Sequence, residues 1–188
     1  MASQTIASPI GPLTLSASGG QLTRVTFVGR WPPTDAPAPI PADDHSVLDC
    51  RVRRLGSSGR PHSDEDDAPV LADAAEQLAE YFDGSRTDFD LPLGPEGDEF
   101  HRDVWHLIAE IPYGETVTYG SIATRLGGIR LSQAVGSATG SNPLPLVIPC
   151  HRVIGSDGTL TGFGGGLDRK RFLLALEESD EVKASRLF

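Results

Sequence analysis

Residues 146–154 read L-V-I-P-C-H-R-V-I and place three polar, reactive side chains between two apolar runs. Short apolar runs bounded by Pro and Gly are typical of buried strands, so we expect a buried, strand-like segment here. Cys150 could be a small buried hydrophobe, as free cysteines often are. The adjacent His151 favours a reactive thiol instead, because a neighbouring imidazole can lower the pKa of a cysteine and take its proton.

The residues before this stretch predict two short helices joined by a turn. One helix is predicted over 121–126 and the other over 132–139, with Gly127 and Gly128 between them. Two short helices around a glycine-containing turn are typical of a helix-turn-helix. The second helix carries almost no large side chain, so a DNA groove could approach it closely. Small residues equally permit close packing between helices, and the pattern alone leaves both interpretations open.

Two longer helices are predicted in the same half of the chain, over 100–111 and 167–178, from the helical spacing of their apolar residues. The second is amphipathic and begins with a basic run, residues 169–171. Between the cysteine stretch and this helix, residues 159–163 are predicted to form a short strand. Gly-Gly-Gly at 164–166 predicts a tight or mobile loop.

The first half of the chain has the pattern of an α/β unit. Alternating residues over 3–28 predict three strands, and helical spacing predicts a helix over 69–82. Residues 88–93 indicate an edge strand. The stretch 30–68 is rich in proline and acidic residues, and we predict a mobile loop because it cannot bury enough apolar surface to become ordered. The polar link 94–99 is the predicted domain boundary.

The composition is that of a globular protein with one generous domain or two small ones. The chain has 188 residues, of which 38% are hydrophobic. Its two cysteines, Cys50 and Cys150, match neither a disulfide framework nor a zinc pattern, so we expect a reducing, cytoplasmic compartment, with no metal and no cofactor. The first residues lack the pattern of a secretion signal, and no apolar run reaches membrane-spanning length, so we expect no membrane contact.

The excess negative charge lies in the first half of the chain. Residues 1–99 hold 7 Lys and Arg against 17 Asp and Glu, whereas residues 100–188 hold 9 of each. Because binding to phosphates depends on local charge rather than on the total, the second half remains compatible with DNA binding.

Together these features resemble the O6-alkylguanine-DNA alkyltransferases, the methylated-DNA–protein-cysteine methyltransferases. The resemblance covers residues 100–178 through a series of short motifs: Ile111-Pro112-Tyr113-Gly114, Thr118-Tyr119-Gly120, Ala134-Val135-Gly136, Asn142-Pro143, Ile148-Pro149-Cys150-His151-Arg152-Val153, Thr161-Gly162-Phe163 and Leu173-Leu174-Ala175-Leu176-Glu177. The first half is similar more loosely, through residues 8–13 and the helix at 78–82. The paired cysteines that bind zinc in some members of the family are missing.

The resemblance implies a fold of two domains. A ribonuclease-H-like α/β domain would cover residues 1–93. A mainly α, winged helix-turn-helix-like domain would cover residues 100–188, bind DNA and accept the alkyl group.

The resemblance also implies the chemistry. Cys150 would accept the alkyl group from O6 of guanine in double-stranded DNA and keep it, so that each molecule, a monomer, acts once. His151 would deprotonate the thiol through a water, with Glu177 orienting the imidazole and stabilising its positive charge. Asn142 would brace the turn that carries the cysteine. Tyr119 would help to rotate the nucleotide and donate a proton or a hydrogen bond towards N3 of the leaving guanine.

The target atom is inaccessible inside a duplex, so the resemblance implies that the base is flipped out. Backbone carbonyls near Cys150 and Val153 and the amide of Gly164 would hold the base under a loop at 164–166. The loop includes Gly165, and Phe163 stands where the family often has Tyr. The residues expected to face DNA are Arg130, Ser132, Gln133, Ala134, Gly136 and Tyr119.

One position departs from the family in a way that matters for DNA. At the start of the recognition helix the family typically has an Arg that fills the space left by the flipped base. Here that position is Gln133, with Arg130 three residues earlier. Gln supplies no positive charge, so we expect less effective base flipping than in a relative with Arg.

Two other functions fit the sequence less well. A non-transferring relative that marks alkylguanine for another pathway would lack the acceptor cysteine, whereas Cys150 is present. A cysteine hydrolase using Cys150 and His151 would leave the helix-turn-helix without a role. In addition, adjacent residues rarely point their side chains at each other.

Overall fold

The computed structural model describes residues 1–32 and 67–178, which form two compact units. The first unit comprises residues 1–96 together with 143–147, and the second comprises the remainder. The predicted boundary at 94–99 stays a prediction. The loop predicted over 30–68 lies almost entirely outside the described residues, as does Cys50.

The first unit is a three-stranded antiparallel sheet with one helix. The strands β1 (Ala2–Ile6), β2 (Leu13–Ser18) and β3 (Gln21–Phe27) pair in the order β1-β2-β3. Helix α1 (Asp67–Asp83) packs on this sheet. The fully buried residues of the strands and the helix form the core of the unit: Ile6, Leu13, Leu15, Leu22, Ala74, Leu78 and Tyr81. This confirms the predicted α/β character of the first half.

The outer edge of β3 is covered by two short segments. Val25 N donates a hydrogen bond to Pro143 O (2.8 Å), and Leu22 N donates one to Pro92 O (2.8 Å). The prediction of a strand over 88–93 is wrong, because in this stretch only Leu93 forms a β-bridge, and its partner is Leu22. Pro92 has no N–H to donate, which prevents a continuous ladder there. Both segments therefore form hydrogen bonds with backbone groups that an exposed strand edge would leave unpaired.

The second unit is mainly helical. Its elements are α2 (Glu99–Ala109), β4 (Val117–Thr118), α3 (Tyr119–Arg125), α4 (Ser132–Gly140), β5 (Val153–Ile154) and α5 (Leu167–Glu177). The two short strands pair in parallel. No helix among the described residues has the length and apolar character needed to cross a bilayer.

Local chemistry explains the positions of the helices. The side chain of Asp98 accepts a hydrogen bond from His101 N (2.9 Å) and caps α2. The buried Trp105 donates from Nε1 to Ala138 O (2.8 Å), which fixes α2 against α4. Helices α3 and α4, joined by a short 3₁₀ helix over Ile129–Leu131, form the predicted helix-turn-helix.

Of two strands predicted in the second unit, one is reduced to two residues and the other is absent from the described residues. The cysteine lies in a 3₁₀ turn, Cys150–Arg152, and only Val153–Ile154 is a strand. Pro149 cannot donate to a ladder, which explains why the extended conformation begins only after the turn. Residues 159–163 form a loop. The turn before it is closed by a hydrogen bond from Gly155 N to Thr159 O (2.9 Å).

Candidate active site

Cys150 lies at the start of a tight turn and is buried, with 4% of its surface exposed. Pro149 has φ −78° and ψ 65°, and Cys150 N donates to Ile148 O at 2.7 Å. These values are those of an inverse γ-turn, which proline favours because its ring fixes φ. Asn142 Nδ2 donates to the same carbonyl at 2.8 Å. This hydrogen bond joins Asn142 to the turn that carries the thiol.

The imidazole of His151 is fully buried and held by Glu177. His151 Nε2 lies 2.8 Å from Glu177 Oε1. Because an ionised carboxylate can only accept, Nε2 carries the proton, and Nδ1 is left with a free lone pair. Nδ1 has no hydrogen-bond partner among the described residues. The ring is thus oriented with its basic nitrogen unoccupied.

Glu177 is also paired with Arg152, which the sequence did not single out as a site residue. Arg152 donates from Nε to Oε2 (2.8 Å) and from Nη2 to Oε1 (2.9 Å), a bidentate pair. Its Nη1 donates to Ile111 O (2.6 Å), and Gly114 N donates to Oε2 (3.3 Å). Burial would raise the pKa of Glu177, but the hydrogen bonds from His151 and Arg152 outweigh it and lower the pKa to about 2. Glu177 therefore stays ionised in the interior.

The thiol of Cys150 is protonated at rest, which corrects the expectation of a lowered pKa. Burial raises the pKa of Cys150 to about 11, against the smaller opposing effects of Asn142 and of the Lys170 ammonium. His151 is itself neutral, because burial lowers its pKa despite the hydrogen bond with Glu177. No cationic imidazole is therefore available to stabilise a thiolate in the resting state. The cysteine needs a base to become a nucleophile.

Tyr119 is the first residue of α3 and is partly buried. Its hydroxyl donates to Thr161 O (3.0 Å), and burial raises the pKa of the phenol. A Cβ placed on Gly136 would lie 3.9 Å from the Tyr119 ring, so Tyr119 sits close beside α4. The structure therefore brings Tyr119 next to one of the residues predicted to face DNA.

The other predicted DNA-facing residues lie at the start of α4 and in the turn before it. Arg130, Gln133 and Ala134 are exposed, and Ser132 is partly buried, with its Oγ donating to Ile129 O (2.6 Å). No side chain caps the first turn of α4. The 3₁₀ helix runs directly into α4, and Ser132 N donates to Ile129 O.

The predicted pocket residues lie around the loop before α5. The Phe163 ring is edge-on to His151, with 6.5 Å between ring centroids. Gly164 is exposed, whereas Gly165 is buried and its carbonyl accepts from Arg169 Nη1 (2.8 Å). Val153 O, predicted to face the base, accepts from Lys170 Nζ (2.6 Å). Among the described residues no group of His, Cys, Asp and Glu side chains is arranged to hold a metal ion.

Lys170 is a second site residue that sequence reasoning missed. A basic run at the start of an amphipathic helix predicts exposed side chains, but Lys170 is fully buried. The spacing of Lys170, Leu173 and Glu177 is i, i+3, i+7, which places all three on one face of α5. Since Glu177 was already expected at the site, this spacing was the signal that could have found Lys170.

Comparison with known proteins adds an independent line of observation. Residues 1–95 match the ribonuclease-like domain of 6-O-methylguanine DNA methyltransferase, and residues 99–179 match its DNA-binding domain. The chain is 42% identical over 185 residues to a methylated-DNA–protein-cysteine methyltransferase of Mycolicibacterium paratuberculosis, covering 98% of this chain and 97% of the relative.

Solved structures give the same result. The chain is similar to Mycobacterium tuberculosis OGT in complex with DNA, with a TM-score of 0.70 and 39% identity over 93% of this chain and 91% of that chain. It is similar as well to the O6-methylguanine methyltransferase of the same organism, with a TM-score of 0.67 and 38% identity over 94% of this chain and 92% of that one.

Proposed function

The chain belongs to the 6-O-methylguanine DNA methyltransferase family, and on that premise we propose that Cys150 is the residue that accepts the alkyl group. The protein is a methylated-DNA–protein-cysteine methyltransferase that acts in the repair of O6-alkylguanine. One observation carries the assignment to Cys150. The residue next to it, His151, keeps a buried basic nitrogen free while its other nitrogen is fixed on Glu177.

Proton removal from the thiol begins the proposed reaction. A water between Cys150 and His151 Nδ1 receives the thiol proton and passes its own proton to the imidazole. Such a water would satisfy the buried Nδ1, which no described residue does. Glu177, ionised and only 2% exposed, then stabilises the imidazolium that forms. The water, His151 and Glu177 thus generate the thiolate only during the reaction, in agreement with the high pKa of the resting thiol.

Transfer of the alkyl group follows. The sulfur of Cys150 forms a bond to the alkyl carbon as the bond between that carbon and O6 breaks, and the electron pair of that bond stays on guanine. Tyr119 donates a proton or a hydrogen bond towards N3 of the leaving base. The thioether on Cys150 is stable, so each molecule reacts once. A direct Cys–His hydrolase dyad is disfavoured, because His151 has no hydrogen bond to the cysteine.

The target base reaches Cys150 by leaving the duplex. In the proposed complex α4 lies along the DNA, with Gln133 or Arg130 at the gap and Ser132, Ala134 and Gly136 close to the backbone. The flipped guanine lies against Val153 and Phe163, under Gly164 and Gly165. The structural relative crystallised with DNA supports this partner. We further propose that the protein is a cytoplasmic monomer with a domain boundary at 94–99, a stretch that includes the gap between the two matched family regions.

Incubation with a duplex containing O6-methylguanine, followed by intact-protein mass spectrometry and peptide mapping, tests the proposal. We expect one methyl group per molecule, on Cys150. Cys150→Ser should bind the alkylated duplex and transfer nothing, whereas Cys50→Ser, the matched control, should react like the wild type. Methyl on Cys50, or more than one event per molecule, would contradict the assignment.

A further inference from the structure

Helix α5 carries a buried cation that the reaction outlined above does not use. Lys170 is 0% exposed, and its Nζ donates to Val153 O (2.6 Å), Thr161 O (2.9 Å) and Gly162 O (3.5 Å). No carboxylate of the described residues forms an ion pair with it. In the part of the chain that the structure describes, the ammonium is contacted by carbonyl oxygens alone. Burying a charge without a counter-ion is costly, so its position calls for an explanation.

Two contacts connect this ammonium to the reacting groups. Val153 follows directly on the turn that holds Cys150, and Lys170 holds its carbonyl. Thr161 O accepts from both Lys170 Nζ and the Tyr119 hydroxyl, so the lysine supports the carbonyl on which Tyr119 rests. Lys170 also lies within electrostatic reach of Cys150, and its positive charge acts to lower the pKa of that thiol.

We propose that Lys170 is a positioning residue whose positive charge stabilises the negative charge that forms on Cys150, and whose hydrogen bonds fix the carbonyls of Val153 and Thr161 at the pocket. The charge is in place before the thiolate appears, and no solvent has to reorganise to provide it. A partner carboxylate would cancel this field, which gives a reason for its absence among the described neighbours. The inference rests on Cys150 being the acceptor.

Other titratable groups face the same region, but their pKa values are shifted away from the range between pH 6.5 and pH 10. On the cysteine turn, burial lowers the pKa of His151; on α3, burial raises the pKa of Tyr119. Arg152 forms an ion pair with Glu177, whose pKa is lowered to about 2. Burial also lowers the pKa of Lys170 from its ordinary value of 10.5. Lys170 is therefore the cation beside the thiol that loses its charge at a lower pH than an ordinary lysine does.

The test is the pH dependence of the alkylation of Cys150 by iodoacetamide, in a Cys50→Ser background and without DNA. We expect Lys170→Met to react about tenfold more slowly near neutral pH, since one pKa unit of the thiol corresponds to tenfold in thiolate. As Lys170 loses its proton at alkaline pH, the wild-type profile should bend and converge with that of Lys170→Met. Lys170→Arg should show no bend, because guanidinium stays charged.

A purely structural role gives a different result. An altered access to the thiol would separate the wild type and Lys170→Met by a constant factor at every pH, and that outcome overturns the proposal. Arg171→Met removes an exposed cation from the neighbouring position and should reproduce the wild-type profile. If Lys170→Met does not fold, the wild type and Lys170→Arg still decide the matter, and two parallel profiles refute it. Failure of methyl transfer to Cys150 would appear separately, in the mass spectrum.

Discussion

Replacement of Glu177 by Gln is expected to weaken the fold and slow alkyl transfer through the same atoms. Glu177 is 2% exposed and accepts hydrogen bonds from His151, Arg152 and Gly114. The amide of Gln has one acceptor oxygen in place of two and no charge. It cannot satisfy both the imidazole and the guanidinium, so Arg152 is left buried without its counter-charge.

The loss of stability can be worked out from the pKa of Glu177, which falls from an ordinary 4.5 to about 2 in the folded protein. A lowering of this size corresponds to about 3 kcal/mol at neutral pH, the low end of the cost of breaking a buried ion pair. Because the folded pKa is the lower one, this stabilisation is complete above pH 4.5 and disappears as the pH falls towards 2. Urea denaturation should show that Glu177→Gln is less stable than the wild type at pH 7, with a smaller dependence on pH in the acidic range.

The kinetic effect is measured in a single turnover with an O6-methylguanine duplex. Without the carboxylate, neither the tautomer of His151 nor its imidazolium is supported, and we expect transfer to slow by roughly 10²-fold or more, by analogy with the orienting carboxylate of hydrolase triads. DNA affinity should change little. Glu178→Gln, which removes the next carboxylate of the chain, is the matched control. An unchanged transfer rate in a folded Glu177→Gln protein would refute the role given to Glu177.

Three further outcomes are expected. The single-turnover rate should fall at acidic pH as His151 becomes protonated, with a midpoint below pH 6.5 because burial lowers the pKa of His151. A rate that falls above neutral pH instead would exclude His151 as the base. Arg152→Lys should slow transfer and destabilise the fold by about 1–3 kcal/mol in urea denaturation, since an ammonium cannot make the bidentate pair with Glu177; wild-type stability and rate would mean that a point charge suffices. Gln133→Arg should speed the reaction on duplex and leave that on free alkylguanine nearly unchanged, and equal effects on both substrates would show that Gln133 does not fill the gap left by the base.

The parts of the fold that follow from local sequence patterns were predictable. Apolar spacing located α2 and α5, and the glycines at 127 and 128 separated the two helices of the helix-turn-helix. The predicted strand around Cys150 failed because its apolar residues are buried by tertiary packing rather than by pairing in a sheet. An apolar run between Pro and Gly cannot by itself distinguish these two cases.

The site was predictable where the motif fixes neighbouring residues, and not where the chemistry depends on the surroundings. The contact between His151 and Glu177 matches the expected pair. The direction of the Cys150 pKa does not, because burial depends on everything packed around the thiol, and a sequence motif contains no such information. The roles of Arg152 and Lys170 depend in the same way on partners that are distant in sequence.

The five residues 143–147 have a consequence for the modularity of this chain. They are grouped with the first unit, although Asn142 before them and Ile148 after them are part of the second. The backbone therefore passes from one unit to the other three times, and a cut near residue 97 does not separate two complete modules. A second half expressed alone or fused to a foreign first half would carry Leu144 and Leu146, both almost fully buried here, without the β3 edge beside them. Chimeras of this enzyme have to carry a matching β3 together with the segment that precedes the cysteine.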